Sequence, residues 1–141
     1  MHTKQKGELA EAMILARFLQ LGWVVLTPFG DSQRYDLVVD RGNGFERIQV
    51  KSGRMINGTV LFQVCSNGNG TRMDKKDYHG QVEAFAVYCP KNAGHYLVPV
   101  AICGKRSCSL RIKRPRILSA EIIWAKDYEL SVPNALRVKA T

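Results

Sequence analysis

The chain has 141 residues, 45% of them hydrophobic, which suits one domain with one core that needs no cofactor to form. Its 21 Lys and Arg against 12 Asp and Glu leave a net charge of +9, which favours a polyanionic partner. Nucleic acid stands ahead of a membrane surface, because no basic amphipathic helix stands out and no apolar run approaches the roughly 20 residues that span a bilayer. The start, MHTKQKGELAEAM, carries two glutamates where a secretory signal would be apolar, so a soluble intracellular protein is expected.

Residues 4–21, KQKGELAEAMILARFLQL, predict a helix, with Leu9, Ala12, Met13, Ala16 and Leu19 at helical spacing. Gly22 stands where a left-handed cap ends it. WVVLTP, residues 23–28, is β-branched and closed by Pro28, so it reads as a first strand. After the loop FGDSQR comes a second strand, YDLVVD (35–40), the turn RGNG, and a third strand, FERIQVKSG. TVLFQVCS, residues 59–66, alternates as a fourth. NGNGTRMDKKDYHGQ, residues 67–81, is polar, glycine-rich and basic and reads as a loop. EAFAVYCP and HYLVPVAIC are two more strands joined by KNAG. CSLRIKR alternates Cys108, Leu110 and Ile112 with Ser109, Arg111 and Lys113. The tail holds the apolar stretch EIIW and a turn of helix around WAKDYEL. A helix followed by strands predicts an α+β or α/β sandwich, one domain over 1–141.

Two basic segments stand out: the loop near 66–77, and GKRSCSLRIKRPR (104–116) with Lys105, Arg106, Arg111, Lys113, Arg114, Arg116 and no acid. In so basic a chain the second is expected to be a phosphate-binding surface. Cys65, Cys89, Cys103 and Cys108 form no CxxC pair. Reduced thiols, several buried on strands, are expected, since Cys103, Cys108 and His95 make a poor zinc spacing with no clear fourth ligand. Tyr78, Phe85, Tyr88 and Tyr96 are expected in the core or half-buried. No Ser-His-Asp or Cys-His arrangement and no phosphate loop is visible.

The hairpin RYDLVVDRGNGFERIQVKSGR, residues 34–54, carries the chemistry. In its third strand Ile48 and Val50 point one way and Arg47, Gln49 and Lys51 the other. Asp36 opens the preceding strand, and residues opposite one another across a hairpin have Cβ atoms roughly 5 Å apart. Asp36 therefore meets Gln49 or Lys51 if the register permits. A carboxylate and an amide oxygen are hard ligands for Mg²⁺, and a neighbouring lysine orients water or stabilises charge on a phosphate. Spacing alone leaves another reading open: Asp36 as a turn cap, Gln49 and Lys51 as ordinary strand residues.

Tyr35-Asp36-Leu37-Val38-Val39, followed by Gln49-Val50-Lys51 with Gln49 thirteen positions after Asp36, resembles the PD-(D/E)XK nuclease superfamily. Tyr35 stands where a proline is usual, and Gln49 where a second acid is usual. The helix KGELAEAMILARFLQLGW is similar to that superfamily's first helix, whose lysine-glycine and later glutamate map onto Lys6, Gly7 and Glu11. Thr3 to Arg54 as a whole, with YHGQVEAFAVYCP and HYLVPV, looks like endonucleases encoded in bacterial group I introns, the likeness weakening after about Cys103.

The resemblance implies a restriction-endonuclease-like core, a mixed β-sheet flanked by helices. It implies a site-specific, metal-dependent double-strand DNA endonuclease of the bacterial cytoplasm, with one or two Mg²⁺ ions per site. Glu11, Asp36, Gln49 and Lys51 would be catalytic: Asp36 as central ligand, Gln49 through its side-chain oxygen joined by the Val50 carbonyl, and Lys51 toward water or the scissile phosphate. Glu11 would reach over from the helix, binding metal through water or assisting proton transfer; Glu8, one turn earlier, is its rival. Each glutamate also has a plainer reading, as a solvated acid favoured by the dipole of the helix's first turn. Gln49 holds a divalent ion more weakly than a carboxylate and points to one ion instead of two. DNA contact is expected from Arg54, Arg72, Lys75, Lys76, Arg111, Lys113 and Arg114, with double-stranded DNA the partner of a homodimer or homotetramer. No organic cofactor and no membrane partner is expected. A Holliday-junction-type nuclease and a non-catalytic DNA-binding relative are the alternatives.

Overall fold

The computed structural model describes residues 1–66 and 76–133. Helix α1, Thr3–Gln20, opens on a reciprocal cap. The His2 Nδ1 accepts from the Lys4 N–H at 3.3 Å, and the Gln5 Oε1 accepts from the His2 N–H at 3.1 Å. It closes on Gly22, whose φ of 78° only glycine adopts freely. There the Gly22 N–H donates to the Leu19 carbonyl and the Trp23 N–H to the Phe18 carbonyl, both at 3.0 Å, with the two rings 5.1 Å apart. That pair of bonds with its apolar contact is a Schellman close.

Ten strands follow: β1 Val24–Leu26, β2 Leu37–Asp40, β3 Phe45–Ser52, β4 Arg54–Ile56, β5 Thr59–Gln63, β6 Cys65–Ser66, β7 Lys76–Asp77, β8 Ala84–Cys89, β9 Gly94–Pro99 and β10 Ser107–Arg111. The central sheet runs β1-β2-β3-β8-β9. Its β3–β8 pair is parallel and its other pairs antiparallel. β10, β5 and β4 form a second, antiparallel sheet, and β6 pairs with β7.

Alternation along β3 sets the layers. Ile48 and Val50 pack with Leu37, Val39, Ala84 and Ala86 against Ala10, Ile14 and Phe18 of α1. On the other face Phe85 and Val87 pack against Val60 and Phe62 of β5 and Leu110 of β10. β8, AFAVYC, is buried at every position because both faces are covered, which is why it reads as one apolar run. The expected mixed sheet is present, with the helix covering one face and a second sheet the other. The tail protects two strand edges. Leu97 N–H donates to the Tyr128 carbonyl on the β9 side, and Arg111 N–H to the Ile123 carbonyl on the β10 side.

Other expectations also shift. GRMING contains β4, unread in the sequence; Asn57 and Gly58, at φ 50° and 75°, make the two-residue hairpin that joins it to β5. TVLFQVCS is two strands, parted at Val64, whose N–H donates to the Arg106 carbonyl. The alternation of CSLRIKR stops at Arg111, because the Ile112 and Lys113 N–H groups both turn to the Gly58 carbonyl. The four cysteines are buried and free. His95 stacks on Tyr88 on the helix side while Cys103 and Cys108 lie in the opposite layer, which removes the zinc arrangement.

Gly53, between β3 and β4, sits under the junction of the two sheets. A Cβ there would lie 2.6 Å from Val60 Cγ1 and 3.0 Å from Val87 Cγ1. Gly53→Ala should therefore lower stability by about 1–3 kcal/mol, seen as a reduced urea midpoint at unchanged slope.

Candidate active site

The register of β2 on β3 pairs Leu37 with Ile48, so Asp36, one step before β2, enters beside the Ile48–Val50 stretch of β3. The Asp36 N–H donates to the Ile48 carbonyl at 2.8 Å, and its Oδ2 accepts from the Val50 N–H at 2.9 Å. The carboxylate is thus pinned to β3 from both its main chain and its side chain. In a strand the N–H and C=O of one residue point to the same side, so the Val50 carbonyl faces the edge Asp36 occupies. Gln49 and Lys51, opposite Phe85 and Val87 of β8, point away from α1.

Each ionisable group here is perturbed. Burial pushes the Asp36 carboxyl above the usual carboxylate range, against the Val50 hydrogen bond and the Lys51 charge, which pull it down. Burial holds the Lys51 ammonium below the usual lysine value, with the Asp36 charge opposing and the Arg34 charge adding to the depression. Burial raises Glu11 on α1, and the charges of Asp36 and then Glu8 raise it further. The structure thus couples Glu11 to Asp36 across the end of the sheet. The first turn of α1 holds no acid, so the helix dipole accounts for neither Glu11 nor the exposed Glu8.

The donor set suits a hard divalent cation: two carboxylates, of which Asp36 raises the proton affinity of Glu11, an amide oxygen and a backbone carbonyl. Among the described residues no three of His, Cys, Asp and Glu gather as ligands, so neutral oxygens from Gln49 and Val50 are needed to complete such a site.

Two residues not singled out in the sequence join the cluster. The Arg34 Cζ lies 4.0 Å from the centroid of the Tyr78 ring, and the Lys51 Nζ 4.8 Å from the same centroid. Tyr78 is buried as expected, but beside the site and not merely within the core. Arg34 had one available signal, its place two residues before Asp36; a contact between residues 34, 51 and 78 leaves no periodicity to read.

The basic residues separate into groups. Arg54 on β4 and Arg111 on β10 alternate with core residues and so share the outer face of the second sheet, Arg54 aligned through Leu61 with Ser109, Arg111 through Thr59 with Ile56. The Arg111 Nε donates to the Lys113 carbonyl at 2.6 Å. Lys113 and Arg114 are exposed just beyond. Arg72 and Lys75 lie outside the described residues, as does the side chain of Lys76. No helix among the described residues is long and apolar enough to cross a membrane.

Comparison with known proteins bears on the family and the fold. No curated protein sequence matches the chain. A bacterial homing endonuclease of known structure, I-Ssp6803I, superposes with a TM-score of 0.74 at 26% identity, over 92% of this chain and 89% of that one. Hjc, a Holliday junction resolvase from the archaeal hyperthermophile Archaeoglobus fulgidus, aligns at 18% identity with a TM-score of 0.47, over 75% of this chain and 84% of its own. The fold is restriction-endonuclease-like. With residues 1–131 matching the PD-(D/E)XK endonuclease family, the chain belongs to that family of nucleases.

Proposed function

We propose that the chain is a Mg²⁺-dependent, site-specific double-strand DNA endonuclease of the homing kind, a single domain acting in the bacterial cytoplasm. The observation that carries the reading is the Asp36 carboxylate bound to the Val50 N–H, between Gln49 and Lys51 on β3, with its charge felt by Lys51 and by Glu11 of α1. The likeness to a bacterial homing endonuclease over most of both chains supports the specific type.

Asp36, the Gln49 side-chain oxygen and the Val50 carbonyl would hold the cation, with Glu11 reaching it through water; when bound it supplies positive charge at the scissile phosphate and makes water a stronger acid. Lys51 keeps a cation at that phosphate and orients the attacking water. Water adds to phosphorus, the P–O bond to one sugar oxygen breaks, and the proton lost by water is balanced by one gained at the leaving oxygen. Glu11, with its raised proton affinity, is suited to carry that proton. One site cuts one strand, so cleavage of both calls for a homodimer or a homotetramer. Gln49 in place of an acid favours a second reading, a non-catalytic DNA-binding relative, and the same experiment separates the two.

Incubation of a randomised duplex library with Mg²⁺ should yield cleavage at a defined site, while branched junctions should be no better substrates. EDTA should stop the reaction and added Mg²⁺ restore it. Asp36→Ala and Lys51→Ala should each lower the single-turnover rate by about 10²- to 10⁴-fold with duplex binding retained. A wild type no faster than these variants would leave the binding module.

DNA contact by the second sheet predicts a salt effect. Arg54→Gln and Arg111→Gln should each reduce the slope of log affinity against log salt by about 0.9, measured by fluorescence anisotropy, if each meets one phosphate. An unchanged slope would remove that residue from the contact surface.

A further inference from the structure

Lys51 and Arg34 are both held against one buried aromatic ring. Tyr78 is 5% exposed, and its ring meets Phe85 edge-on, with centroids 5.6 Å apart and planes at 89°. Its carbonyl accepts from the N–H groups of Gln81 and Val82, which fixes the backbone beneath the ring. The face of this anchored ring takes the Lys51 ammonium at 4.8 Å and the Arg34 guanidinium at 4.0 Å. An aromatic face attracts a cation most strongly where water is scarce, so it offsets the cost of keeping the Lys51 ammonium in a largely dry position. It also selects one path for a flexible four-carbon stem.

Asp36 is tied directly to β3 beside these cations. Arg34 lies two residues before Asp36 on the segment that enters β2, so one backbone carries both the carboxylate and the guanidinium into the site. A guanidinium's planar fork suits a phosphate's paired oxygens.

We propose that Tyr78 is a positioning residue that aims the Lys51 ammonium at the reacting phosphate, and that Arg34, held on the same ring, binds a non-bridging oxygen of that phosphate. The inference rests on the nuclease reading given above. It assigns Arg34 a contact with substrate and Tyr78 an action through Lys51.

The test uses the full chain and the duplex recovered from the library. Tyr78→Phe keeps the ring face, and Tyr78→Leu removes it. The Phe variant should cleave within about threefold of wild type, and the Leu variant about tenfold or more slowly, with duplex affinity in EDTA unchanged. Arg34→Gln should slow cleavage about tenfold, and Arg34→Lys should recover part of it. In selectively labelled protein the Lys51 ε-methylene signal should lie upfield under the ring current in wild type and Tyr78→Phe, and return to the free-lysine position in Tyr78→Leu.

Equal loss in the Phe and Leu variants, no loss in Leu, or an indifferent Arg34→Gln overturns the proposal. Should Tyr78→Leu not fold, the Phe variant and the Arg34 pair decide it. A wild type that cleaves nothing would defeat the nuclease reading alone. The wild-type lysine signal, and movement of the Arg34 Nε–H resonance on adding a short duplex in metal-free buffer, would then decide whether the two cations sit on Tyr78 and meet phosphate.

Discussion

The hydrogen bond from the Val50 N–H to the Asp36 carboxylate ties the site to the sheet. It fixes the acid just before β2 against β3, where the Asp36 N–H also donates to the Ile48 carbonyl. A slip of one residue would send Gln49 and Lys51 into the helix-facing core and Ile48 and Val50 out of it. The apolar demand of that core therefore enforces the polar geometry. Ile48 and Val50 cannot stay under Ala10, Ile14 and Phe18 unless Gln49 and Lys51 stand on the other side.

That dependence explains the use of the two layers. α1 supplies Glu11 as well as apolar cover, so the helix that buries one face also brings an acid to the end of the sheet. The second sheet lies on the other face, folded back after β3 at Gly53, where no side chain fits between Val60 and Val87. Lys51 ends up half-covered between these layers. A buried ammonium is costly in isolation, and here the Asp36 charge and the Tyr78 face offset its lost hydration.

Much of this was legible because it is local. The span of α1, the cap at Gly22, the RGNG turn and the alternation of FERIQVK each rest on neighbours within a few residues and appear where the sequence put them, but the buried stripe of α1 is Ala10, Ile14 and Phe18, and of the stripe expected there Ala12, Ala16 and Leu19 are exposed. Alternation alone was enough to set Gln49 and Lys51 on one face. The pairing that brings the Asp36 carboxylate to the Val50 N–H was not readable, since it depends on how β2, β3 and α1 pack together. β4 escaped because MING is too short to alternate, although Asn57-Gly58 carries the turn signal that would have found it. The apolar cover of the second face by a sheet, and the role of the tail at the edges of β9 and β10, arise from pairings across long stretches of chain. Tyr78 read as an ordinary core aromatic, which its burial bears out; what makes it more is the pair of cations on its face, brought there from two other segments.

Charge balance gives Gln49 a physical sense beyond a weakened ligand. Around the site stand two acids, Glu11 and Asp36, and two permanent or nearly permanent cations, Lys51 and Arg34. With an amide at position 49 these groups cancel. An acid there would leave a net negative cluster, would raise Asp36 and Glu11 further, and would draw Lys51 off the Tyr78 face into a direct ion pair. In the chain as it stands, a single divalent cation turns a neutral cluster positive, which matches the charge that a phosphodiester brings and its transition state spreads over more oxygens. An enzyme of this family with a second acid has reason to take up a second ion. With Gln49, the proposed contact of Arg34 with the phosphate would place a guanidinium where that extra positive charge is wanted.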